Sequence, residues 1–467
     1  MHAEVRDLKR PNIIFLLIDD LGWRDLACYG STFYETPHLD RLAREGMTFT
    51  QAYAAAPVCS PSRASILSGK YPARVGVTDW IGAHARGKLV DAPYVDHLPL
   101  EEVSIAKALK AGGYVTWHVG KWHLGEPPAD PLHHGFDVNI GGCDWGMPKH
   151  GYFSPYGIPT LPDGPEGEYL TDRLTDEAIR LIENAGAQPF FLNLAHYAVH
   201  TPIQAKPEDE ARFIAKAKAL KLDQVEAFVW GEHFPTEHKK DKRVKRRIVQ
   251  SHAGYAAMIY NLDWNIGRLL TALERTGKAD DTLIIFTSDN GGLSTAEGSP
   301  TCNLPLHEGK GWMYDGGTRE PLIVKWPGVT PAGSQCHVPT TSPDFYPTLL
   351  EVAGLPLRPE QHVDGVSLVP LLKGEKTLER EAIYWHYPHY GNQGGTPGSA
   401  MRMGDYKLIE FFADGRLELY NLAEDIAETR NLAAEHPALV NRMHEMLKQW
   451  RVSVSAKIPA VNPEYGG

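Results

Sequence analysis

The chain reads as an α/β protein, with a large, mostly parallel central sheet flanked by helices and a smaller C-terminal α+β subdomain built on an antiparallel sheet. Three observations predict this. Short apolar, β-rich runs alternate with helical patterns through most of the 467 residues. The first run, residues 12–18, is apolar almost throughout, as expected for a strand buried on both faces. From about residue 381 the pattern changes: runs at 401–412 and 416–422 flank Ala413-Asp414-Gly415, which reads as an antiparallel hairpin.

Taken in order, residues 12–18 form the central strand. Around residue 60 a helix starts, with Ser60 as N-cap, Pro61 as first helical residue and Gly69 as the stop. Residues 103–111 read as a helix stopped by Gly112-Gly113, and 114–119 and 190–195 as strands. A long amphipathic helix over 254–276 ends at Gly277, and strands follow at 282–287 and 321–326. A terminal helix is predicted near 437–452. We place the catalytic domain at 1–370 and the subdomain at 371–467. An insertion at about 206–250 is polar and reads as helical. Its basic run at 239–247 suits a solvated surface helix, or a landing surface for an anionic polymer.

Composition excludes several classes. Hydrophobic residues are 42% and charged residues 22%, an ordinary globular balance, and the net charge of −11 disfavours general nucleic-acid binding. Five scattered cysteines without a C-x-x-C pair indicate neither a zinc site nor a disulfide frame. The apolar run at 13–18 is too short to span a bilayer, lacks a cleavage site and ends in two aspartates, so no targeting or membrane segment is read. The expected location is periplasmic or secreted if a leader has been removed, and cytoplasmic otherwise. The oligomeric state is not read.

Polar residues gather where the strands end. The first strand delivers Asp19 and Asp20, the 114–119 strand Lys121 and His123, the 190–195 strand His196 and His200, and the 282–287 strand Asp289 and Asn290. Open α/β sheets bind ligands beyond the carboxyl ends of their strands. Singly, each is an ordinary turn or a structural histidine; jointly they predict a site. Asp19, Asp20, Asp289 and Asn290 offer only oxygen, which suits calcium or magnesium rather than zinc. Arg63, Lys121 and Lys310 add positive charge for a tetrahedral oxyanion. Cys59 stands at the start of its helix, at the positive end of the dipole, a place for an anion and a reactive side chain.

Cys59-Ser60-Pro61-Ser62-Arg63 also matches C-x-P-x-R. With Leu67 to Pro72, Gly120-Lys121-Trp122-His123-Leu124-Gly125, Ser288-Asp289-Asn290-Gly291 and Gly309-Lys310-Gly311, all in order, the chain resembles a type I sulfatase of the alkaline-phosphatase-like superfamily from about residue 11 to 432. The resemblance implies a sulfuric-ester hydrolase. It implies one calcium, with magnesium less favoured, held by Asp19, Asp20, Asp289 and Asn290 with Cys59 completing the set. It implies that a maturation enzyme converts Cys59 to formylglycine. Arg63 and Lys121 then hold that residue, His123 takes the proton that lets the sulfated diol collapse, and His200 and Lys310 bind sulfate and assist the leaving oxygen. His196 does not match the family position and ranks as a support or substrate-facing residue. A sulfated sugar is the expected partner, with galactose or N-acetylgalactosamine 4-sulfate the nearest class. Trp80, His84, Arg86, His97, Trp145, His386 and His389 are its candidate contacts, the last pair overhanging the pocket. A phosphomonoester or phosphonate hydrolase of the same superfamily, and an inactive glycan-binding homologue, are the competing readings.

Overall fold

The computed structural model describes residues 10–465. Its strands are β1 (Asn12–Ile18), β2 (Met47–Tyr53), β3 (Val115–Gly120), β4 (Val138–Ile140), β5 (Phe190–Ala195), β6 (Phe228–His233), β7 (Arg243–Arg247), β8 (Thr282–Ser288), β9 (Arg319–Lys325), β10 (Ser334–Cys336), β11 (Thr340–Thr341), β12 (Ile383–Tyr387), β13 (Gly398–Met403), β14 (Tyr406–Phe411) and β15 (Leu417–Asn421). The large sheet has the order β10-β2-β9-β8-β1-β5-β3-β4, with β11 on β2. Only β9 runs antiparallel to its neighbours. The α/β fold with its mostly parallel sheet and separate antiparallel sheet is as the sequence predicts.

β1 is central because its residues are apolar on both faces. Ile14, Leu16 and Ile18 point to one layer, packed with the helices Leu170–Glu183 and Ala253–Arg275. Ile13, Phe15 and Leu17 point to the other, with the helices Cys59–Ser68 and Phe345–Val352. Each such side chain contributes about 1.5–3 kcal/mol on burial, so this strand is a principal anchor of the sheet. β5 and β8 pair with β1 in parallel, Leu17 opposite both Ala195 and Thr287, so the three strands end level with one another. That common edge sets the site.

The antiparallel sheet β12-β13-β14-β15 packs by alternation. Trp385, Ala400 and Ile409 face Tyr53, Val58 and Met313, while Met401, Leu408 and Leu419 face the terminal helix Pro437–Ser453. Trp385 Nε1 donates to the Ala54 carbonyl (2.8 Å), and Tyr384 stacks on Trp450 at 4.8 Å.

Three local expectations are corrected. Residues 401–412 are not one strand: Gly404, at φ +58°, turns β13 back into β14. The insertion is α-helical only over Pro207–Ala219, with short 3-10 turns at Leu222–Gln224 and Glu237–Lys239. Its basic run instead ends in β7, paired antiparallel with β6 with Phe228 opposite Arg247, Val229 opposite Arg246 and Trp230 opposite Lys245; within β7 Val244 and Arg247 are buried and Arg243 and Lys245 are exposed. Finally, Cys59 is itself the first helical residue, with Val58 extended as N-cap; Ser60 instead accepts a hydrogen bond from the Ile81 amide (3.1 Å). Gly69 ends that helix as read, in the left-handed conformation at φ +72°.

Candidate active site

The level strand ends bring the predicted polar residues together. β1 delivers Asp19 and Asp20, β3 delivers Lys121 and His123, β8 delivers Asp289 and Asn290, and the turn after β5 delivers His200. All of these are buried. Asp20 and His123 adopt left-handed φ values of 59° and 55°, a strained conformation held by the contacts around them.

The carboxylates and cations interlock. Lys121 Nζ donates to Asp19 Oδ2 (2.7 Å) and Lys310 Nζ to Asp20 Oδ2 (2.8 Å). Arg63 Nε donates to Asp289 Oδ2 (2.9 Å) and its Nη1 to the Lys121 carbonyl (3.0 Å). Asp20 N donates to Asp289 Oδ1 (3.2 Å), and Asn290 Nδ2 to Asp20 Oδ1 (2.9 Å). Burial raises the Asp19 pKa well above its ordinary range, against the pull of Lys121. Burial would raise Asp20 too, but Lys310, with His200 and Lys121, holds it below.

Two buried acceptors in this cluster, Asp19 Oδ1 and Asn290 Oδ1, have no hydrogen-bond partner. Unpartnered buried oxygens are costly, and a hard cation satisfies several at once. The donor set therefore fits calcium or magnesium. Arg63 Nη2 is likewise without an aligned partner, although it lies 2.8 Å from Asp289 Oδ2. That leaves one guanidinium N–H free for an anion.

Cys59 sits against this cluster, its Sγ 3.2 Å from His123 Nδ1. His123 Nε2 lies 3.3 Å from the Ile81 carbonyl, so Nε2 carries the proton and Nδ1 is the acceptor. Burial, then Lys121 and Arg63, push the His123 pKa far down, which keeps the ring neutral. Burial also raises the Cys59 thiol, against the pull of Lys121 and Lys310. His200 Nδ1 donates to the Thr201 carbonyl (2.8 Å), leaving Nε2 to accept from Lys310 Nζ (3.0 Å). Burial, then Lys310, push the His200 pKa down to about 3.

The proposed sugar contacts divide. The Ile81 carbonyl touches His123, and a Cβ at Gly146 would stand 2.5 Å from its Cε1, so Trp80 and Trp145 adjoin His123 along the chain. Trp145 is half-buried, stacked on His150 with Lys149 Nζ 4.6 Å above it. His84 and Arg86 are exposed, and exposed His97 is held by Asp96 (2.9 Å). His386 and His389 do not overhang the pocket. His386 is buried between Ser399 Oγ (2.7 Å) and the Lys457 carbonyl (2.9 Å). His389 is buried with Nε2 on Thr78 Oγ1 (2.9 Å) and Nδ1 3.6 Å from both Asp79 and Asp91. His196 is fully buried without a hydrogen-bond partner, with Asp172 as its nearest influential charge, so it is not substrate-facing.

Supporting residues escaped sequence reasoning. Tyr152 donates its hydroxyl to the carbonyls of Tyr197 (2.7 Å) and His200 (2.8 Å), fixing the turn that presents His200. Ser288 Oγ accepts from Leu21 N (3.0 Å) and ties the two aspartate-bearing loops. Tyr152 carries no sequence signal, and Ser288 stands in the 288–291 motif with no role of its own read for it.

The family model for sulfatases matches residues 11–355, and that for the C-terminal region of N-sulphoglucosamine sulphohydrolase matches 307–453. A sulfatase of Formosa agariphila is 33% identical, over 96% of this chain and 90% of its own. The human N-acetylgalactosamine-6-sulfatase is 34% identical, over 80% of this chain and 68% of its own. The crystal structure of Ps i-CgsB superposes with a TM-score of 0.75 at 31% identity, over 95% of this chain and 93% of that one; a second structure holds k-i-k-neocarrahexaose. Among the described residues no helix is long and apolar enough to cross a membrane. With that likeness running nearly end to end, the chain belongs to the sulfatase family of hydrolases.

Proposed function

We propose that this protein hydrolyses the sulfate ester of a sulfated carbohydrate, using Cys59 in its formylglycine form and one calcium ion. The observation that carries this is the 3.2 Å approach of His123 Nδ1 to the side chain of residue 59, beside an all-oxygen cluster with two unpartnered acceptors.

The hydrated aldehyde supplies two hydroxyls on one carbon, so that one takes the sulfuryl group and the other, once deprotonated, expels sulfate. Asp19, Asp20, Asp289 and Asn290 would hold the calcium, which supplies Lewis-acid stabilisation of sulfate oxygens. The rest falls to this chain's own side chains. Arg63 Nη2 has its free N–H for the oxyanion, and Lys121 adds a buried positive charge. Neutral His123 Nδ1 accepts the proton from the hydroxyl on residue 59. Lys310, already donating to His200 Nε2, is the ammonium placed to assist the leaving oxygen.

The neocarrahexaose bound by the structural neighbour supports a galactose-type sugar, and the relatives named N-acetylgalactosamine-6-sulfatase are what favours O6 over the O4 expected from sequence. Two measurements test the proposal together. Mass spectrometry of the peptide holding Cys59 should show the aldehyde. Galactose and N-acetylgalactosamine 4- and 6-sulfates, p-nitrophenyl sulfate and a phenyl phosphonate ester should be assayed side by side. Desulfation of a 6-sulfated sugar is expected. Faster phosphonate cleavage, or sugar binding without turnover by aldehyde-bearing protein, would overturn it.

A further inference from the structure

We infer that the β6–β7 hairpin is a docking surface for the sulfated polysaccharide that carries the substrate sugar. The class of ligand rests on the sulfatase reading; the surface itself rests on its own charges. Residues 228–247 hold seven Lys or Arg against three Asp or Glu, in a chain whose net charge is −11. Lys240, Lys242, Arg243 and Lys245 are exposed. Among the described residues, Lys240, Lys242 and Lys245 make no ion pair, and Arg243 is occupied by the carbonyls of Gly231 and Trp230. Some cations elsewhere are paired, as Lys216 is with Glu35 at 2.9 Å, and others are not; what marks the hairpin is how densely its cations are set. A local concentration of unpaired cations on an acidic protein attracts a polyanion while the rest of the surface repels it.

The hairpin also presents an aromatic face. Trp230 is 59% exposed and stands opposite Lys245 in the register. Lys245 Nζ lies 3.9 Å from the Phe228 ring and 5.5 Å from that of Trp230. An aromatic face beside an ammonium suits a pyranose ring that carries a sulfate.

Its position points to the catalytic wall. A groove of about 340 Å³ runs between the hairpin and residues 296–299, lined by Phe228, Phe234, Lys242, Lys245, Glu297 and Ser299. Arg246 bridges to Thr295 through the backbone and pairs with Glu308 at 2.9 Å. Lys239 donates to the Asn392 carbonyl (2.9 Å). These ties fix the hairpin to the segment that leads into Lys310. A polymer seated here is delivered towards the lysine that faces the leaving oxygen.

The test uses the full chain with ι-carrageenan and chondroitin 6-sulfate as probes. In the triple variant Lys240→Glu/Lys242→Glu/Lys245→Glu, polymer binding at about 50 mM NaCl should fall by about tenfold or more, and the dependence of affinity on salt should become shallower. Cleavage of p-nitrophenyl sulfate should stay within about twofold, because no catalytic group is altered. Trp230→Ala should weaken polymer binding with every charge retained. A control, Lys373→Glu/Lys376→Glu/Lys448→Glu, makes the same change in net charge at exposed positions on other elements and should bind as the wild type. Equal binding by wild type and the hairpin variant, or equal loss in the control, overturns the inference. Failure to cleave any sulfate ester would instead defeat the catalytic reading, and the binding comparison stands apart from it.

Discussion

Arg63 offers the sharpest test of how the site is held. Its guanidinium is buried and makes two aligned charge-assisted hydrogen bonds, Nε to Asp289 Oδ2 and Nη1 to the Lys121 carbonyl. In Arg63→Lys a single ammonium replaces the fork, and it can keep the carboxylate or the carbonyl but not both. One such bond is worth about 1.5–3 kcal/mol, and leaving the buried Lys121 carbonyl without a donor costs about 1–3 kcal/mol more. The folded state should therefore lose about 3–5 kcal/mol, read by urea unfolding with the charge at this position unchanged. The substitution also removes the free Nη2 donor. Loss of one oxyanion donor predicts a fall in kcat/KM of about 10²–10³ on p-nitrophenyl sulfate. A variant within about threefold of wild-type kcat/KM, or within about 1 kcal/mol in stability, would refute the bidentate argument.

Three other outcomes follow from the packing. Gly69→Ala forces a left-handed φ of +72° on alanine and puts a Cβ 2.5 Å from His362 Cβ and 2.9 Å from Tyr346 Cβ; urea unfolding should show a loss of about 2–4 kcal/mol. Lys407, buried between Asp315 Oδ1 (2.8 Å) and Glu428 Oε1 (2.9 Å), pins the antiparallel sheet to the segment after Lys310, and Lys407→Met should cost about 3–5 kcal/mol by leaving two buried carboxylates. Burial raises the Glu428 pKa in the folded state against the pull of Lys407, so the folded protein holds this proton more tightly than the unfolded chain, and stability should fall as pH rises above 4.5. Glu428→Gln should flatten that slope in pH-dependent melting, and an unchanged slope would reject the assignment. Chelation should abolish turnover and lower the melting temperature, and calcium at about 100 times its Kd should restore about 2.7 kcal/mol; activity that survives chelation would count against the metal site.

Much of the site was legible because parallel strands end level. Once residues 12–18, 114–119, 190–195 and 282–287 are read as parallel neighbours, their next residues must share an edge, and Asp19, Lys121, His200 and Asp289 do. The basic hairpin was hidden by its own charge. A dense cationic run suggests a solvated helix, and β7 shows no clean alternation to betray it: its two buried residues, Val244 and Arg247, are three apart, the arginine held by the Ser299 carbonyl and Ser251 Oγ. His386 and His389 misled for a different reason. Aromatic and imidazole groups near a pocket in sequence say nothing of which way they point, and here Ser399, Lys457 and Thr78 supply polar partners that let both rings be buried. The helix starts two residues earlier than read, at Cys59 rather than Pro61, because Val58 takes the cap position without any side-chain bond.

The most direct test concerns residue 59 as a nucleophile with two oxygens. Cys59→Ser keeps one hydroxyl beside His123 Nδ1 and removes the second. Intact-mass and peptide analysis after incubation with p-nitrophenyl sulfate should find one sulfuryl group retained on residue 59 and release of a single equivalent of p-nitrophenol. Steady turnover by this variant, or a sulfuryl group on any other side chain, would contradict it.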